Sequence, residues 1–202
     1  MLCLTEPTDP AWIEGALADL DAVLVDHGHC EMKAASNALA LAARHPDDVV
    51  LVRALTDLAR EEIDHFQRVL DFAEKRGLSL GTPAVDAYAA ELRRAAHDEL
   101  RAVPPLVQRL LVGALIEARS CERFKILVTA MAERNVEPEL VAFYDELFEC
   151  EARHFRTYFD LAVRAAGGDE PVVRRALGAL SRREGAIVRA LAGGDERATV
   201  HG

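Results

Sequence analysis

Aromatic residues are scarce, at 5% of 202 residues, with a single tryptophan. Strands draw on aromatic and β-branched side chains, whereas this chain is rich in alanine, so helices are favoured over sheets. No apolar run approaches the ~20 residues needed to span a bilayer. The first residues, Met1 to Pro7, lack a basic region followed by an apolar core, so no signal peptide is expected. The cysteines, at positions 3, 30, 121 and 150, form no Cys-x-x-Cys pair. Free thiols in a reducing cytoplasm are the simplest expectation. Positive charge is also in deficit: the net charge is −10, which argues against broad, non-specific binding of nucleic acid.

Half of the residues are hydrophobic and 29% are charged, the balance of a soluble globular chain. The apolar residues recur at helical spacing almost throughout. Thr8-Asp9-Pro10 starts either one long helix or a short one leading into a longer one, ending near Arg44-His45-Pro46. A second long segment runs from about Val49 to Arg76, with Gly77 as its cap. A more polar helix over 86–102 reads as a crossover. Pro104-Pro105 opens a third long helix, to about Glu133, and a fourth spans 139–166. A last helix covers 171–191. Residues 1–192 are expected to form one domain, and 193–202 a disordered tail.

One motif organises the chain. Glu62-Ile63-Asp64-His65-Phe66 places a carboxylate and an imidazole one helical turn apart, on one face, where both can hold the same metal ion. With 7 His and 19 Glu among 202 residues, chance supplies about 0.7 such pairs, so one alone means little. The second half answers it with Glu151-Ala152-Arg153-His154-Phe155. Each pair follows a helix bearing a glutamate within an apolar face: Glu31, 31 residues before Glu62, and Glu117, 34 residues before Glu151. Glu122 is the alternative to Glu117, although aligning Glu31-Met32-Lys33 with Glu117-Ala118-Arg119 favours Glu117.

Packed together, the two halves supply four Glu and two His to the middle of a four-helix bundle, the ligand set of ferritin-like di-iron proteins. Carboxylates are hard ligands able to bridge two ions, and each imidazole holds one. Four carboxylates also neutralise two divalent ions, whereas without cations they would repel and take up protons. The expected fold is therefore all-α: a ferritin-like four-helix bundle with a crossover helix and an additional C-terminal helix. Around the ligands, His27 either reaches the metals or packs beside Glu31. Glu61 sits on another face, as a supporting or solvent-facing group. Arg153 is placed to pair with Glu61 or Asp64, and Tyr158 to line a cavity or fill core.

The segments Asp26-His27-Gly28-His29-Cys30-Glu31-Met32-Lys33-Ala34-Ala35-Ser36 and Leu111 to Phe124, with its Glu-Ala-Arg-Ser-Cys-Glu-Arg-Phe run, resemble the MiaE family of tRNA hydroxylases, as does Glu-Ala-Arg-His-Phe. The resemblance extends over about residues 8 to 190. It implies a non-haem di-iron monooxygenase whose ligands are Glu31, Glu62, His65, Glu117, Glu151 and His154. Its substrate would be 2-methylthio-isopentenyl-adenosine at tRNA position 37, hydroxylated on the isopentenyl group with dioxygen and electrons from a separate reductase, in the cytoplasm. Arg93, Arg94 and Arg101 on the crossover, and Arg174, Arg175, Arg182 and Arg183 on the last helix, are candidate phosphate contacts. Surface arginines that balance an acidic protein are the plainer alternative. Ala34, Ala35 and Ala38 near Glu31 could leave room for a prenyl group. The ligand set alone equally suits a ferroxidase or peroxide-scavenging protein with no nucleic-acid substrate. Oligomeric state is not legible.

Overall fold

The computed structural model describes residues 2–191 and 199–200, and among them the regular structure is entirely helical. The helices are α1 (Pro10–Ala18), α2 (Leu20–Ala43), α3 (Val49–Lys75), α4 (Ala87–Glu99), α5 (Pro105–Glu133), α6 (Pro138–Ala165) and α7 (Glu170–Leu191). The chain divides into two compact units. One holds residues 2–17 and 86–191; the other holds 18–85 with Thr199 and Val200.

The smaller unit is a hairpin of α2 and α3. The apolar run from Trp12 to Leu41 is interrupted at Asp19, whose side chain caps α2 by accepting from the Ala22 N–H at 2.9 Å. A short helix thus leads into a longer one. Pro46 prevents α2 from continuing, and Asp48 caps α3 through the Leu51 N–H at 3.0 Å. Gly77 ends α3 with φ of 66°, and the Leu78 N–H returns to the Ala73 carbonyl. The hairpin core is Leu24, Ala35, Leu41, Leu51, Leu55, Leu58 and Val69, all buried. Leu80, in the loop after α3, folds back over Gly28, where a β-carbon would lie 3.3 Å from both Leu80 and Val69. His29 holds that loop through a 2.8 Å contact from Nε2 to the Leu80 carbonyl oxygen.

The larger unit is built on a second hairpin, α5 and α6. Its turn uses Asn135 and Glu137 in the left-handed region, and Pro138 begins α6 where a missing N–H costs nothing. Phe124 and Tyr144 pack across the hairpin with ring centroids 5.1 Å apart. α4 and α7 pack on each other and both contact α5. α5 is consequently enclosed on every side over 117–124, where all eight residues are buried. A helix covered all round is apolar or has its polar groups paired, and over this stretch Arg119, Ser120, Cys121 and Glu122 are hydrogen-bonded.

Of the expected tail, residues 193–198 and 201–202 lie outside the described residues. Val200 is buried, and its N–H donates to Asp26 Oδ2 at 2.7 Å.

Candidate metal centre

In the α2–α3 unit, three side chains converge. Glu31, Glu62 and His65 are 4%, 1% and 6% exposed, and one donor atom from each lies within 4.8 Å of the others. Nδ1 of His65 is 3.6 Å from Glu31 Oε2 and 3.5 Å from Glu62 Oε2. Bonds of about 2.1 Å to one ion would set such atoms about 4 Å apart or less, so this spacing suits a shared cation. The helical register explains the convergence. Glu62 and His65 share a face of α3, and Glu31 follows Leu24, His27 and Gly28 along the buried face of α2.

His27 completes this half. Its Nε2 meets Glu31 Oε1 at 2.5 Å, one turn away on the same helix, with both side chains buried. Burial alone would push the Glu31 carboxyl up. The His27 imidazole, with His65 nearby, outweighs it and holds Glu31 well below the usual carboxylate range.

The α5–α6 hairpin repeats the pattern. Glu117, Glu151 and His154 are all buried, and Glu117 and His154 offer donor atoms within 4.8 Å of each other. His154 Nε2 lies 3.5 Å from Cys150 Sγ, which favours Nδ1 as the ligating nitrogen, the atom His65 turns to its carboxylates. The two halves differ one turn before the upstream glutamate. His27 precedes Glu31, but Gly113 precedes Glu117, and the Tyr158 ring fills the space where a Gly113 β-carbon would approach within 2.9 Å. Tyr158 is therefore a buried wall of this half.

Glu61 is half-buried, whereas Arg153 is exposed. Glu122 is engaged away from the repeat: it accepts from the Thr8 hydroxyl at 2.7 Å, from the Thr8 N–H at 3.3 Å and from Arg119. Arg93, Arg94, Arg174 and Arg175 are all exposed, Arg94 beside Glu91 and Arg174 bonded to Glu170. Cys121 donates to the Phe148 carbonyl, and burial pushes its thiol up to about 11.

Sequence reading missed a buried ionic cluster behind α5. Arg119, fully buried, donates from Nε and Nη2 to the Glu184 oxygens, each at 2.9 Å, and also to Glu122, to Thr8 Oγ1 and to the Glu6 carbonyl. The Tyr88 hydroxyl donates to Glu184 at 3.0 Å. Burial pushes Glu184 up, and Arg119 and Tyr88 only partly offset that. Arg123, beside them, stacks on Trp12 at 5.1 Å and is pulled down to about 10 by burial. The available signal was Glu184 on the apolar face of the last helix, between Leu180 and Val188.

Chemically, each half offers two buried carboxylates and one imidazole, a hard oxygen-rich set suited to a divalent first-row metal. No helix among the described residues is long and apolar enough to cross a membrane.

The MiaE family model, described as tRNA-(MS[2]IO[6]A)-hydroxylase, matches residues 1–200. A tRNA 2-(methylsulfanyl)-N(6)-isopentenyladenosine(37) hydroxylase of Pseudomonas putida is 44% identical over 171 residues, covering 84% of this chain and 78% of that protein. The Salmonella typhimurium protein of the same description is 29% identical over 214 residues, covering 81% of this chain and 76% of its own. Among solved structures, protein 43 with aldehyde deformylating oxygenase activity from Synechococcus superposes with a TM-score of 0.83 at 36% identity, over 100% of this chain and 96% of that one. The fold class is all-α and ferritin-like.

Proposed function

This chain belongs to the MiaE family, and on that premise we propose that it is a non-haem di-iron monooxygenase acting on tRNA. Its substrate is 2-methylthio-isopentenyl-adenosine at position 37, as in the name of the Pseudomonas relative. The product carries a hydroxyl on the isopentenyl group. The observation that carries the reading is the duplicated buried set, Glu31 with Glu62 and His65, and Glu117 with Glu151 and His154.

Those six residues would hold two iron ions, the arrangement of ferritin-like carboxylate proteins. Bound there, the irons supply the reduction of dioxygen and the insertion of one oxygen atom into a C–H bond, with electrons from an external reductase. The chain's own residues do the rest. Four carboxylates would balance the charge of two divalent ions away from water. His27 occupies one oxygen of Glu31 and leaves Oε2 to face His65. In the other half, Glu122 is bound to Thr8 and Arg119, which supports Glu117 as the ligand. Ala35 and Ala38 follow Glu31 on the buried side of α2, where small side chains leave space for a prenyl group. A tRNA substrate places the reaction in the cytoplasm.

The likeness to the Synechococcus protein raises a second reading, oxidative deformylation of an aldehyde. One experiment separates the two. Iron-loaded protein, reductant and dioxygen are offered tRNA that carries the unhydroxylated prenyl-adenosine, and separately a long-chain aldehyde. Nucleoside mass spectrometry should show one oxygen gained on the prenyl-adenosine and the aldehyde untouched. Formate and a hydrocarbon one carbon shorter than the aldehyde, with unchanged tRNA, would replace the proposal with the second reading.

A further inference from the structure

The exposed face of α7 departs from the rest of this acidic chain. From 171 to 191 it carries Arg174, Arg175, Arg182, Arg183 and Arg189 against a single acid, Glu184. That acid is fully buried and committed to Arg119 and Tyr88. The outer surface of α7 beyond Glu170 is therefore purely cationic, in a protein of net charge −10. α4, which packs on α7, is different. It intersperses Arg93 and Arg94 with Glu91, Asp98 and Glu99.

The α7 arginines are not equivalent. Arg174 is bonded to Glu170 at 2.7 Å, Arg183 faces Glu99 at 3.5 Å, and Arg189 meets Glu6. Arg175 and Arg182 have no ion pair among the described residues. Both are exposed and stand seven positions apart, which places them on one side of the helix with about 10 Å between them along its axis. Between them Gly178 adds no side chain, and a β-carbon there would meet only the Arg182 guanidinium, at 3.8 Å. The stripe is thus open, and no acid side chain must be displaced before an anion binds.

Its position ties it to the α5–α6 half-site. The Arg174 guanidinium lies 5.0 Å from the centre of the Phe159 ring. Phe159 is five residues beyond His154 on α6, about 8 Å along that helix. The N-terminal part of α7 therefore starts beside the part of α6 that follows His154.

We infer that the Arg175–Arg182 stripe of α7 is the surface that grips the tRNA backbone, and that α4, with Arg93 and Arg94, is not. The inference rests on tRNA being the substrate. An α7 grip assigns affinity to phosphate contacts and leaves base recognition to the pocket, as phosphate contacts carry no sequence information.

The test uses the iron-loaded full chain and tRNA bearing the unhydroxylated prenyl-adenosine, with binding followed by fluorescence anisotropy across a salt series. Wild type should bind, with an affinity that falls linearly on a log–log plot. R175E/R182E should weaken binding by tenfold or more at low salt and reduce the slope by about 1.4–1.8, the loss of two phosphate contacts. Its KM for tRNA should rise while kcat at saturation, and turnover of the free modified nucleoside, stay at the wild-type level. R175K/R182K should keep most of the affinity. R93E/R94E on α4 is the control and should leave the slope unchanged. An unchanged slope in R175E/R182E, or an equal loss in R93E/R94E, overturns the assignment. Wild-type turnover of the nucleoside with no binding of tRNA would overturn the tRNA reading itself, and this surface with it.

Discussion

Replacing Arg119 by methionine isolates the largest buried electrostatic commitment in the chain. The guanidinium donates to both Glu184 oxygens, to Glu122, to Thr8 and to the Glu6 carbonyl, and it is wholly buried. Methionine fills much of the same volume, so the loss is chiefly electrostatic. Glu184 would keep only the Tyr88 hydroxyl, at 3.0 Å. Removing one partner of a buried pair costs about 3–5 kcal/mol. For a chain of this size that is a fall in Tm of about 6–20 °C. The pH dependence gives the sharper test. Burial already raises the folded Glu184 carboxyl above its unfolded value, with Arg119 the main opposing pull. A group raised in this way favours the fold below its unfolded pKa, and that contribution disappears as pH rises through the folded pKa. Deleting Arg119 raises Glu184 further, so the R119M defect should be largest near pH 8 and shrink towards pH 5. Urea unfolding followed by circular dichroism at both pH values, with equal metal loading, measures it. R119M/E184L, which removes both charges, should recover at least half of the loss. A defect that is the same at both pH values, or a double variant no better than the single, would refute the electrostatic account.

Three further outcomes are expected. Gly113→Ala drives a β-carbon to within 2.9 Å of the Tyr158 ring, which should cost about 1–3 kcal/mol in thermal unfolding; G113A should be largely neutral in a Tyr158→Leu background, and equal penalties in both backgrounds would show that the ring is not the obstacle. His27→Leu removes the partner of Glu31 Oε1 and should weaken ferrous-ion affinity about 10–100-fold, with His27→Gln intermediate; full affinity in the leucine variant would make His27 a packing residue only. Val200→Pro deletes the N–H that donates to Asp26 and should cost about 1 kcal/mol, whereas unchanged stability would mean the contact contributes nothing.

Much of the framework was legible because its signals are local. Pro46, Gly77 and Pro138 mark helix ends through backbone restrictions that act within a few residues, and the helices stop close to them. The duplicated Glu-x-x-His is likewise a one-turn relation, and repetition lifts it above chance. What stayed hidden depends on distant partners. Internal alignment favours Glu117 over Glu122 but helical periodicity cannot separate them, because all eight residues over 117–124 are buried and no polar face marks the register. What engages Glu122 is Thr8, which is 114 positions away in the chain. The Arg119–Glu184 pair spans 65 positions and leaves no periodic trace. From sequence, Arg93, Arg94, Arg101, Arg174, Arg175, Arg182 and Arg183 are all candidate phosphate contacts. Arg93, Arg175 and Arg182 have no ion pair among the described residues, and the lack of exposed acids on α7 beyond Glu170 sets Arg175 and Arg182 apart from Arg93, whose helix carries Glu91, Asp98 and Glu99.

The central claim is that the duplicated set holds two irons. Iron per chain after anaerobic loading and desalting tests it most directly, on wild type, His65→Ala and His154→Ala, with helicity checked by circular dichroism. Wild type should hold about two ions and each variant about one or fewer. A wild-type chain holding fewer than about one, or variants that both retain the full complement, would contradict it.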